Sequence, residues 1–279
     1  MKLSQRLAIG YIQTKFKLLT VLSKRKTAEQ ALELFSTPFL KSKKKAHPVN
    51  AESVHFKLKK LTINGYKWND PRPEKVLILH GFGSAAHKFE HFAAPLVAKG
   101  YEVLAFDAPA HGESEGTRTN AMEYSEMIRK VMEEYGPIKK FIAHSFGGIA
   151  LSLALENIPH DEQTRIVFIG PATETTTAVE GAFAMLKLKN EKVKKEFEKI
   201  IINVSGKKIE WFSMRRAMHQ IKANILWIHD EDDDITPLAD ALKVKEDNHP
   251  NINFMITKGL GHRKIYKNEE VKNALVSFL

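Results

Sequence analysis

The sequence predicts an α/β fold with a mostly parallel central sheet covered by helices on both faces. Short, nearly continuous apolar runs such as residues 75–79 recur along the chain, as strands buried on both faces of a parallel sheet require. Helical patterns such as residues 121–135 alternate with these runs. One such strand, starting at Ile138, runs directly into Ser145 and is followed at once by an apolar helical run. This succession indicates a sharp strand-to-helix turn.

Length and composition suit a globular chain with one large domain and additional segments. The 279 residues are 43% hydrophobic and 27% charged. No run of eighteen apolar residues occurs, so we expect no transmembrane helix. Cysteine is absent, which excludes disulfides, thiolate nucleophiles and cysteine-ligated metals, and favours a cytoplasmic location.

The net charge of +10 is concentrated at one end of the chain. Residues 1–50 contain eleven Lys or Arg and two acidic residues, a net charge of +9. The remaining residues are nearly neutral, with 32 basic and 31 acidic side chains. A body that is not basic gives no support for a nucleic-acid groove, so no nucleic-acid partner is expected.

Residues 1–50 are predicted to form a basic helical N-terminal arm. Apolar residues recur at helical spacing over residues 3–22, and a second helix is expected from Thr27, with Gln30 completing a capping box. A basic linker, Lys41–Lys45, follows. Gln5 and Arg6 interrupt the early apolar stretch, so a secretory signal is not expected. Two interpretations stay open: peripheral contact with an anionic membrane, or packing of the apolar face on the rest of the protein.

Residues 51–279 are predicted to form the main domain. Its strands begin with an antiparallel pair that turns at Asn64-Gly65, the dipeptide most typical of tight hairpins. The later runs are apolar throughout and are separated by helical patterns that end at Gly or Pro. The predicted strands are 53–63, 66–68, 75–80, 101–106, 138–142, 165–169, 225–229 and 253–257, and the predicted helices include 87–98, 121–135 and one ending at Leu279.

The strand–helix alternation lapses between about residues 171 and 218. Helical patterns over 182–188 and 190–201 replace it. Because this segment directly follows the strand after Ser145, we expect a small cap insertion that shapes a substrate pocket. His144, Phe183 and Met185 are the candidate pocket residues. An ordinary packed helical excursion stays open as the alternative.

Ser145 is the candidate nucleophile. Small residues stand two positions before it and two after it, Ala143 and Gly147, as a tight strand–helix turn requires. A serine hydroxyl is a poor nucleophile unless a base activates it. A histidine and an orienting acid are therefore expected downstream.

His262 is the candidate base, and an aspartate of the run 230–234 is the candidate acid. Both follow late strands, in a Gly-Leu-Gly-His loop and a run of five acidic residues, and would lie at the same sheet edge as Ser145. The base would accept the serine proton, and the acid would hold the imidazole in the required tautomer. Clustered carboxylates also suit a divalent cation, but the alternating spacing of a calcium loop is missing, so no metal is predicted.

Residues 80–84, His-Gly-Phe-Gly-Ser, follow the first buried strand. The glycines would let the backbone approach a substrate, and the backbone N–H groups of Phe82 and Phe146 are the candidate oxyanion donors. A plain strand–helix turn capped by Ser84 explains the same residues, and both interpretations are compatible.

Together these motifs resemble the α/β-hydrolase family from about Val76 to the C-terminus. Residues 80–84 are similar to its oxyanion loop, and residues 143–147 to its nucleophile turn. Residues 107–114 are similar to its Asp-x-Pro-Gly-His-Gly-x-Ser loop, with Ala110 in place of glycine and His111 in a structural position.

The resemblance also bears on the choice of acid. In that family the acid usually lies four residues before the proline after the late strand, which indicates Asp233, with Asp232 and Asp234 as neighbouring alternatives. Asp230 stands where glycine is usual.

The predicted function is that of a serine hydrolase that cleaves a small-molecule carboxylic ester through an acyl-enzyme, without metal or organic cofactor. Acyltransferase, thioesterase and C–C hydrolase activities would use the same triad. A serine nucleophile argues against the branches of the family that use aspartate, the haloalkane dehalogenases and epoxide hydrolases. A non-catalytic binding module, holding a membrane or partner through the basic arm, is the alternative of another class. The sequence makes no prediction of oligomeric state.

Overall fold

A computed structural model describes residues 3–38 and 47–279. The strands are β1 (Ala51–Leu58), β2 (Leu61–Trp68), β3 (Lys75–Leu79), β4 (Glu102–Phe106), β5 (Lys140–His144), β6 (Arg165–Ile169), β7 (Asn224–Asp230) and β8 (Ile252–Thr257). The α-helices are α1 (Leu3–Leu22), α2 (Lys24–Ser36), α3 (Ala93–Ala98), α4 (Ala121–Tyr135), α5 (Phe146–Leu155), α6 (Thr175–Met185), α7 (Glu191–Ser205), α8 (Met214–Met218), α9 (Leu238–Glu246), α10 (Gly261–Lys264) and α11 (Glu269–Phe278). Short 3₁₀ helices occupy Ala86–Phe92, Ile209–Trp211 and Ile265–Lys267.

The strands form one eight-stranded sheet in the order β1-β2-β4-β3-β5-β6-β7-β8. The β1–β2 and β2–β4 pairs are antiparallel, and every other neighbouring pair is parallel. The predicted mostly parallel α/β fold is confirmed. Because β5, β6, β7 and β8 are consecutive and parallel, the loops after them meet at one edge of the sheet.

The chain divides into two compact units. A helical unit contains the described residues up to Thr37 together with Glu174–Phe212, and a sheet unit contains the described remainder, including Ser213–Leu279. The helices at the N-terminus thus share a unit with those of the predicted insertion. The predicted boundaries, 1–50, 51–279 and 171–218, stay predictions, and the Lys41–Lys45 linker lies outside the described residues.

The core of the sheet unit explains the apolar runs of the sequence. The side chains of β3 and β4 are almost all fully buried, because helices cover a parallel sheet on both faces. On one face, Ile78, Ile142 and Val167 pack in a cluster with residues of α3 and α11. Burial of such side chains stabilises a fold by about 1.5–3 kcal/mol each.

The helical unit has its own apolar core. Phe16 of α1, Ala28 of α2, Phe183 of α6 and Phe197 of α7 belong to one buried cluster. The rings of Phe183 and Phe197 meet edge to face, with centroids 5.2 Å apart. Helices α1 and α2 therefore pack on α6 and α7 through part of their apolar surface.

The predicted hairpin turn at Asn64-Gly65 is wrong. The two strands turn at Lys59 and Lys60, and Leu58 pairs with Leu61. Lys59 takes the positive φ of 54° that this turn requires. Gly65 lies inside β2, where an added Cβ would come within 2.4 Å of the Phe106 ring. The glycine thus serves close packing between strands, and tertiary contact overrides the local turn signal.

The predicted start of the second helix, at Thr27, is also wrong. Helix α2 begins at Lys24, and Ser23 is its N-cap, with Ser23 Oγ accepting a hydrogen bond from the backbone N–H of Lys26 at 3.2 Å. Thr27 lies one turn inside the helix, where its hydroxyl donates to the Ser23 carbonyl at 2.7 Å. Both residues are good caps in sequence, and the earlier one is used.

No helix in residues 3–38 or 47–279 is both long enough and apolar enough to cross a membrane.

Candidate active site

Ser145 lies in a sharp turn between β5 and α5. Its backbone has φ 53° and ψ −119°, outside the regions that residues with a Cβ ordinarily adopt. The turn is held by neighbouring backbone: Ser145 N–H donates to the Ile169 carbonyl at 3.2 Å, and the Ser145 carbonyl accepts from Ala172 at 3.0 Å. Ala143, where the family usually has glycine, is fully buried within β5, and the turn forms with alanine there. The strained conformation directs the hydroxyl to the carboxyl edge of the sheet.

The structure brings Ser145, His262 and Asp233 together. Ser145 Oγ lies 3.0 Å from His262 Nε2, and His262 Nδ1 lies 2.8 Å from Asp233 Oδ2. A carboxylate can only accept, so the neutral imidazole carries its proton on Nδ1 and accepts the serine hydroxyl at Nε2. All three residues are buried. This arrangement can transfer a proton from Ser145 to His262; the catalytic assignment stays a prediction.

Asp233 is the acid of the run that reaches His262. Burial raises the pKa of its carboxyl, but the hydrogen bond and charge of His262 and the amides of Thr236 and Ile235 outweigh burial, and the net pKa is lowered. Those amides donate to Oδ1 at 2.8 and 3.0 Å. The carboxyl is therefore ionised at neutral pH, as a group that stabilises an imidazolium must be. Asp232 and Asp234 are exposed.

Sequence reasoning missed two residues that hold Asp233. Thr236 Oγ lies 2.9 Å from Asp233 Oδ2, 3.0 Å from His262 Nδ1 and 3.1 Å from the Gly170 carbonyl. His229, wholly buried, donates from Nε2 to the Thr236 carbonyl at 2.7 Å and accepts from the Trp227 indole at 3.4 Å. The available signal was the spacing Asp-x-x-Thr, in which an aspartate accepts from the backbone two and three residues on.

Asp230 and Asp232 join the acid loop to the histidine loop. Asp230 accepts from the Thr257 hydroxyl at 2.7 Å and from the Gly261 amide at 2.8 Å. Asp232 Oδ2 accepts from the Gly259 amide at 2.9 Å. Burial raises the pKa of Asp230, but the hydrogen bonds from the Thr257 hydroxyl and from nearby backbone N–H groups such as that of Gly261 outweigh burial. The net pKa of Asp230 is lowered. The carboxylates of Asp230 and Asp232 thus accept hydrogen bonds from backbone N–H groups of the histidine loop. Asp230, which stands where the family usually has glycine, positions His262 through these bonds.

The turn after β3 packs directly against Ser145. A Cβ added to Gly81 would come within 2.8 Å of Ser145 Cβ and 2.9 Å of His144 Nδ1, so only glycine allows this approach. The backbone N–H groups of Phe82 and Phe146 donate to no residue of the described chain. Their rings meet edge to face, with centroids 5.5 Å apart. Phe146 follows Ser145 directly, and Phe82 follows Gly81, which packs against Ser145. Both candidate oxyanion donors therefore belong to segments next to the serine.

The loop over residues 107–114 supports that turn. Asp107, buried, accepts from the amides of Ala86 and Glu113 at 2.7 and 2.8 Å, and its burial raises its pKa. His111 Nε2 accepts from the Gly83 amide at 2.9 Å, so His111 is structural, as the resemblance implies. Ala110 has a φ of 67°, in the left-handed region that favours glycine, which explains why the family usually has glycine there.

The three candidate pocket residues lie in different units. His144 is buried beside the base: its Nε2 donates to the His262 carbonyl at 3.2 Å, and no described residue hydrogen-bonds its buried Nδ1. Phe183 belongs to the core of the helical unit, and Met185 is about half exposed there, with its carbonyl accepting from the Gln13 side chain at 2.7 Å. Their roles in a pocket stay predictions.

Acid is expected to destabilise the fold through His80 and His144. Burial lowers the pKa of His80 to about 4 and that of His144 to about 3, from an ordinary 6.5. Below pH 6.5 the unfolded chain binds protons that the folded chain does not, so stability falls as pH falls. The free energy of unfolding is expected to fall by about 1.4 kcal/mol per pH unit for each histidine. This fall ends near the pKa of that histidine in the folded protein.

Urea unfolding of native protein and of His144→Gln at pH 7, 6 and 5 measures this slope. The variant is expected to have the shallower slope. A free energy of unfolding that is constant from pH 7 to 5 would contradict the prediction.

One cluster in the described chain has the ligand types of a metal site. Single ligand atoms of His219, Asp247 and His249 lie within 4.8 Å of one another. Arg215 donates to both oxygens of Asp247 at 2.7 Å, and its positive charge opposes a cation there. The cluster adjoins the starts of β7 and β8, at the sheet edge opposite Ser145, so it lies away from the candidate active site.

Comparison with known proteins identifies the family. Residues 70–224, more than half of the chain, match the family model described as serine aminopeptidase, S33. The matched range contains Ser145 and both candidate oxyanion donors, whereas Asp233 and His262 lie beyond it. The match confirms the resemblance to α/β-hydrolases that the sequence motifs indicate.

Individual relatives are similar over part of their length or in fold. The uncharacterized hydrolase YugF of Bacillus subtilis (strain 168) is 30% identical over 109 residues, 36% of this chain and 40% of that protein. Human monoglyceride lipase is 30% identical over 104 residues, 33% of this chain and 34% of that protein. The chain thus spans about two fifths or less of these relatives.

Among solved structures, the Pyrococcus furiosus esterase Pf2001 superposes with a TM-score of 0.63 at 20% identity, covering 88% of this chain and 97% of that one. This likeness establishes the fold. The family-model match over residues 70–224 shows that the chain belongs to the serine aminopeptidase S33 family, which has the α/β-hydrolase fold.

Proposed function

We propose that this protein is a serine hydrolase that cleaves carboxylic esters with an apolar acyl group. The observation that carries the proposal is the relay from Ser145 Oγ to His262 Nε2, 3.0 Å, and from His262 Nδ1 to Asp233 Oδ2, 2.8 Å. A strained serine, a histidine in the correct tautomer and an ionised aspartate are the parts that acyl transfer needs. The names of the relatives, an esterase and a lipase among them, support the same reaction class.

In the proposed reaction, Ser145 Oγ attacks the acyl carbon while His262 Nε2 accepts the hydroxyl proton. The carbon becomes tetrahedral, and its oxygen carries the negative charge. His262 then donates the proton to the departing alkoxide, which leaves as an alcohol, and Ser145 holds the acyl group as an ester. Water, deprotonated by His262, attacks this acyl-enzyme, and the acid product leaves with the serine proton restored. Asp233 stabilises the imidazolium in both halves.

The backbone N–H groups of Phe82 and Phe146 are proposed to bind the oxyanion. Both belong to segments next to Ser145, and both are without a hydrogen-bond partner among the described residues. Backbone donors held in place before the reaction stabilise the developing charge without reorganisation, and one donor typically contributes about 100–1000-fold in rate.

Gly81→Ala is expected to lower kcat about 100-fold or more, because the new methyl group would displace the oxyanion turn from Ser145. Gly83→Ala is the matched control. Gly83 has a φ of 69°, but an added Cβ there meets nothing within 4 Å, so this variant carries backbone strain without a clash. Steady-state ester hydrolysis measures both. Equal losses in the two variants would show that strain, rather than the close approach of Gly81, causes the effect.

An apolar acyl group is proposed because aromatic rings border the serine. Phe82 is 38% exposed and packs edge to face on Phe146, which follows the nucleophile directly. Such rings favour hydrocarbon over polar acyl groups. Esters with apolar acyl groups are commonly membrane lipids or their fragments, and peripheral membrane contact through the N-terminal helices is part of the proposal. A cytoplasmic location stays a prediction.

A graded substrate series tests the function. p-Nitrophenyl esters from acetate to laurate, a monoacylglycerol, an acyl thioester and an aminoacyl p-nitroanilide are compared by kcat/KM, with Ser145→Ala as control. We expect hydrolysis of esters that rises with acyl length and is lost in the variant. Cleavage of the anilide in preference to every ester would assign a peptidase and overturn the proposal.

A further inference from the structure

Helix α1 has apolar side chains on two opposite sides. On one side Phe16 is buried and Ile12 is partly buried in the core of the helical unit. The opposite side carries an exposed stripe that is defined by Leu7, Tyr11, Leu18, Val21 and Leu22. Their exposed fractions are 67%, 72%, 63%, 78% and 81%. At 3.6 residues per turn these five positions fall within an arc of about 100°.

The fold does not account for the exposed stripe. The other large apolar side chains that are exposed in the described chain, such as Val49, Met122 and Leu242, are spread over several elements, which is normal for a protein surface. Five on one side of a single helix, with the exposed Thr14 among them, form a largely apolar surface, and such surfaces generally mark a binding site. A helix face is convex, so the binding partner is a surface and not a ligand that enters a pocket.

The charges around the exposed stripe identify that surface. Lys15 and Lys17 are exposed and lie on either side of it, and Arg25 and Lys26 are exposed just beyond its end. The first acidic residue of the chain is Glu29, so α1 contains none. A second copy of the helix would bring like charges together. A bilayer with anionic headgroups would receive both the apolar side chains and the lysines.

We propose that the exposed stripe docks the protein on an anionic lipid bilayer, with α1 lying in the plane of the interface. Leu7, Tyr11, Leu18, Val21 and Leu22 enter the acyl boundary, while Lys15 and Lys17 remain at the headgroups. Docking requires only α1 and the lipid, so it does not depend on the proposed ester hydrolysis. It would hold the protein where esters with apolar acyl groups are concentrated.

Vesicle partitioning of the full chain tests the proposal. All proteins carry Ser145→Ala, so that phospholipid esters stay intact, and partition coefficients are measured by co-sedimentation with phosphatidylcholine–phosphatidylglycerol vesicles. Leu18→Gln combined with Leu22→Gln is expected to lower the coefficient at least about tenfold, because each loses an inserted apolar side chain. Ile202→Gln with Val204→Gln is the matched control, since these residues are 40% and 73% exposed on α7 of the same unit, and no change is expected.

The electrostatic part is tested with Lys15→Gln and Lys17→Gln together. This pair is expected to lower binding to the anionic vesicles about tenfold, and to leave weak binding to pure phosphatidylcholine unchanged. Absence of binding by the parent protein, or equal binding by the Leu18/Leu22 variant, would overturn the proposal. So would light scattering that shows a lipid-free dimer which Leu18→Gln with Leu22→Gln dissociates, because the stripe would then bind a second copy. Circular dichroism confirms that each variant keeps its helix content.

Discussion

Ser145→Ala and His262→Ala are each expected to lower kcat for ester hydrolysis about a millionfold, and the double variant is expected to be no slower than either. In the proposed mechanism the two groups act as one unit, since Ser145 attacks only when His262 Nε2, 3.0 Å away, accepts its proton. Removal of either ends that transfer, and the activity that remains comes from binding and the oxyanion donors.

Steady-state kinetics on the preferred ester measures these losses. His219→Ala is the control for loss of a histidine, because His219 is exposed and adjoins the opposite sheet edge. Losses that multiply in the double variant would show that Ser145 and His262 contribute independently. That result would contradict the proton transfer between them.

Asp233→Asn is expected to lower kcat about 10,000-fold with little change in stability. The amide keeps the size of the side chain, but it lacks the negative charge that stabilises the imidazolium and favours the wrong tautomer of His262. Asp234→Asn is expected to leave kcat unchanged, because Asp234 is exposed. Asp232→Asn retains an oxygen that can accept from the Gly259 amide, so its effect is also expected to be small.

The three asparagine variants are compared by kcat and by urea unfolding. A large loss confined to Asp233→Asn identifies the acid within the run. If Asp232→Asn or Asp234→Asn has the large loss instead, the assignment to Asp233 is wrong.

The buried strands of the sheet could be predicted because their signal is local, whereas their order in the sheet could not. Strands β3 to β7 are buried on both faces, so nearly all their residues are apolar. A short, nearly continuous apolar run of this length is typical of a buried strand. The hairpin could not be located, because Asn64-Gly65 has the best local turn chemistry while packing of Gly65 on Phe106 decides the register. Because the register depends on a contact between Gly65 and Phe106, about forty positions apart in the sequence, no local sequence pattern indicates it.

The candidate site divides in the same way. Ser145 and His262 follow strands, and their residue types predict a nucleophile and a base before any geometry is known. The resemblance to α/β-hydrolases selects Asp233 within the acidic run 230–234. The residues around them are harder to predict. Asp230 departs from the family pattern, and in the structure its carboxylate accepts a hydrogen bond from the backbone N–H of Gly261, next to His262. The packing of α1 and α2 against α6 and α7 could not be predicted either. An amphipathic pattern indicates that one face of a helix is buried, but it does not indicate which element covers that face.

Intact-mass analysis after treatment with a fluorophosphonate tests the central claim, that Ser145 is an activated nucleophile, most directly. The reagent reacts with a serine hydroxyl only when a base accepts its proton, so a single adduct measures the assembled relay. We predict one adduct per chain, mapped to Ser145, absent from Ser145→Ala and strongly slowed in Asp233→Asn. A folded native protein that stays unmodified, or an adduct on another serine that persists in Ser145→Ala, would contradict the claim.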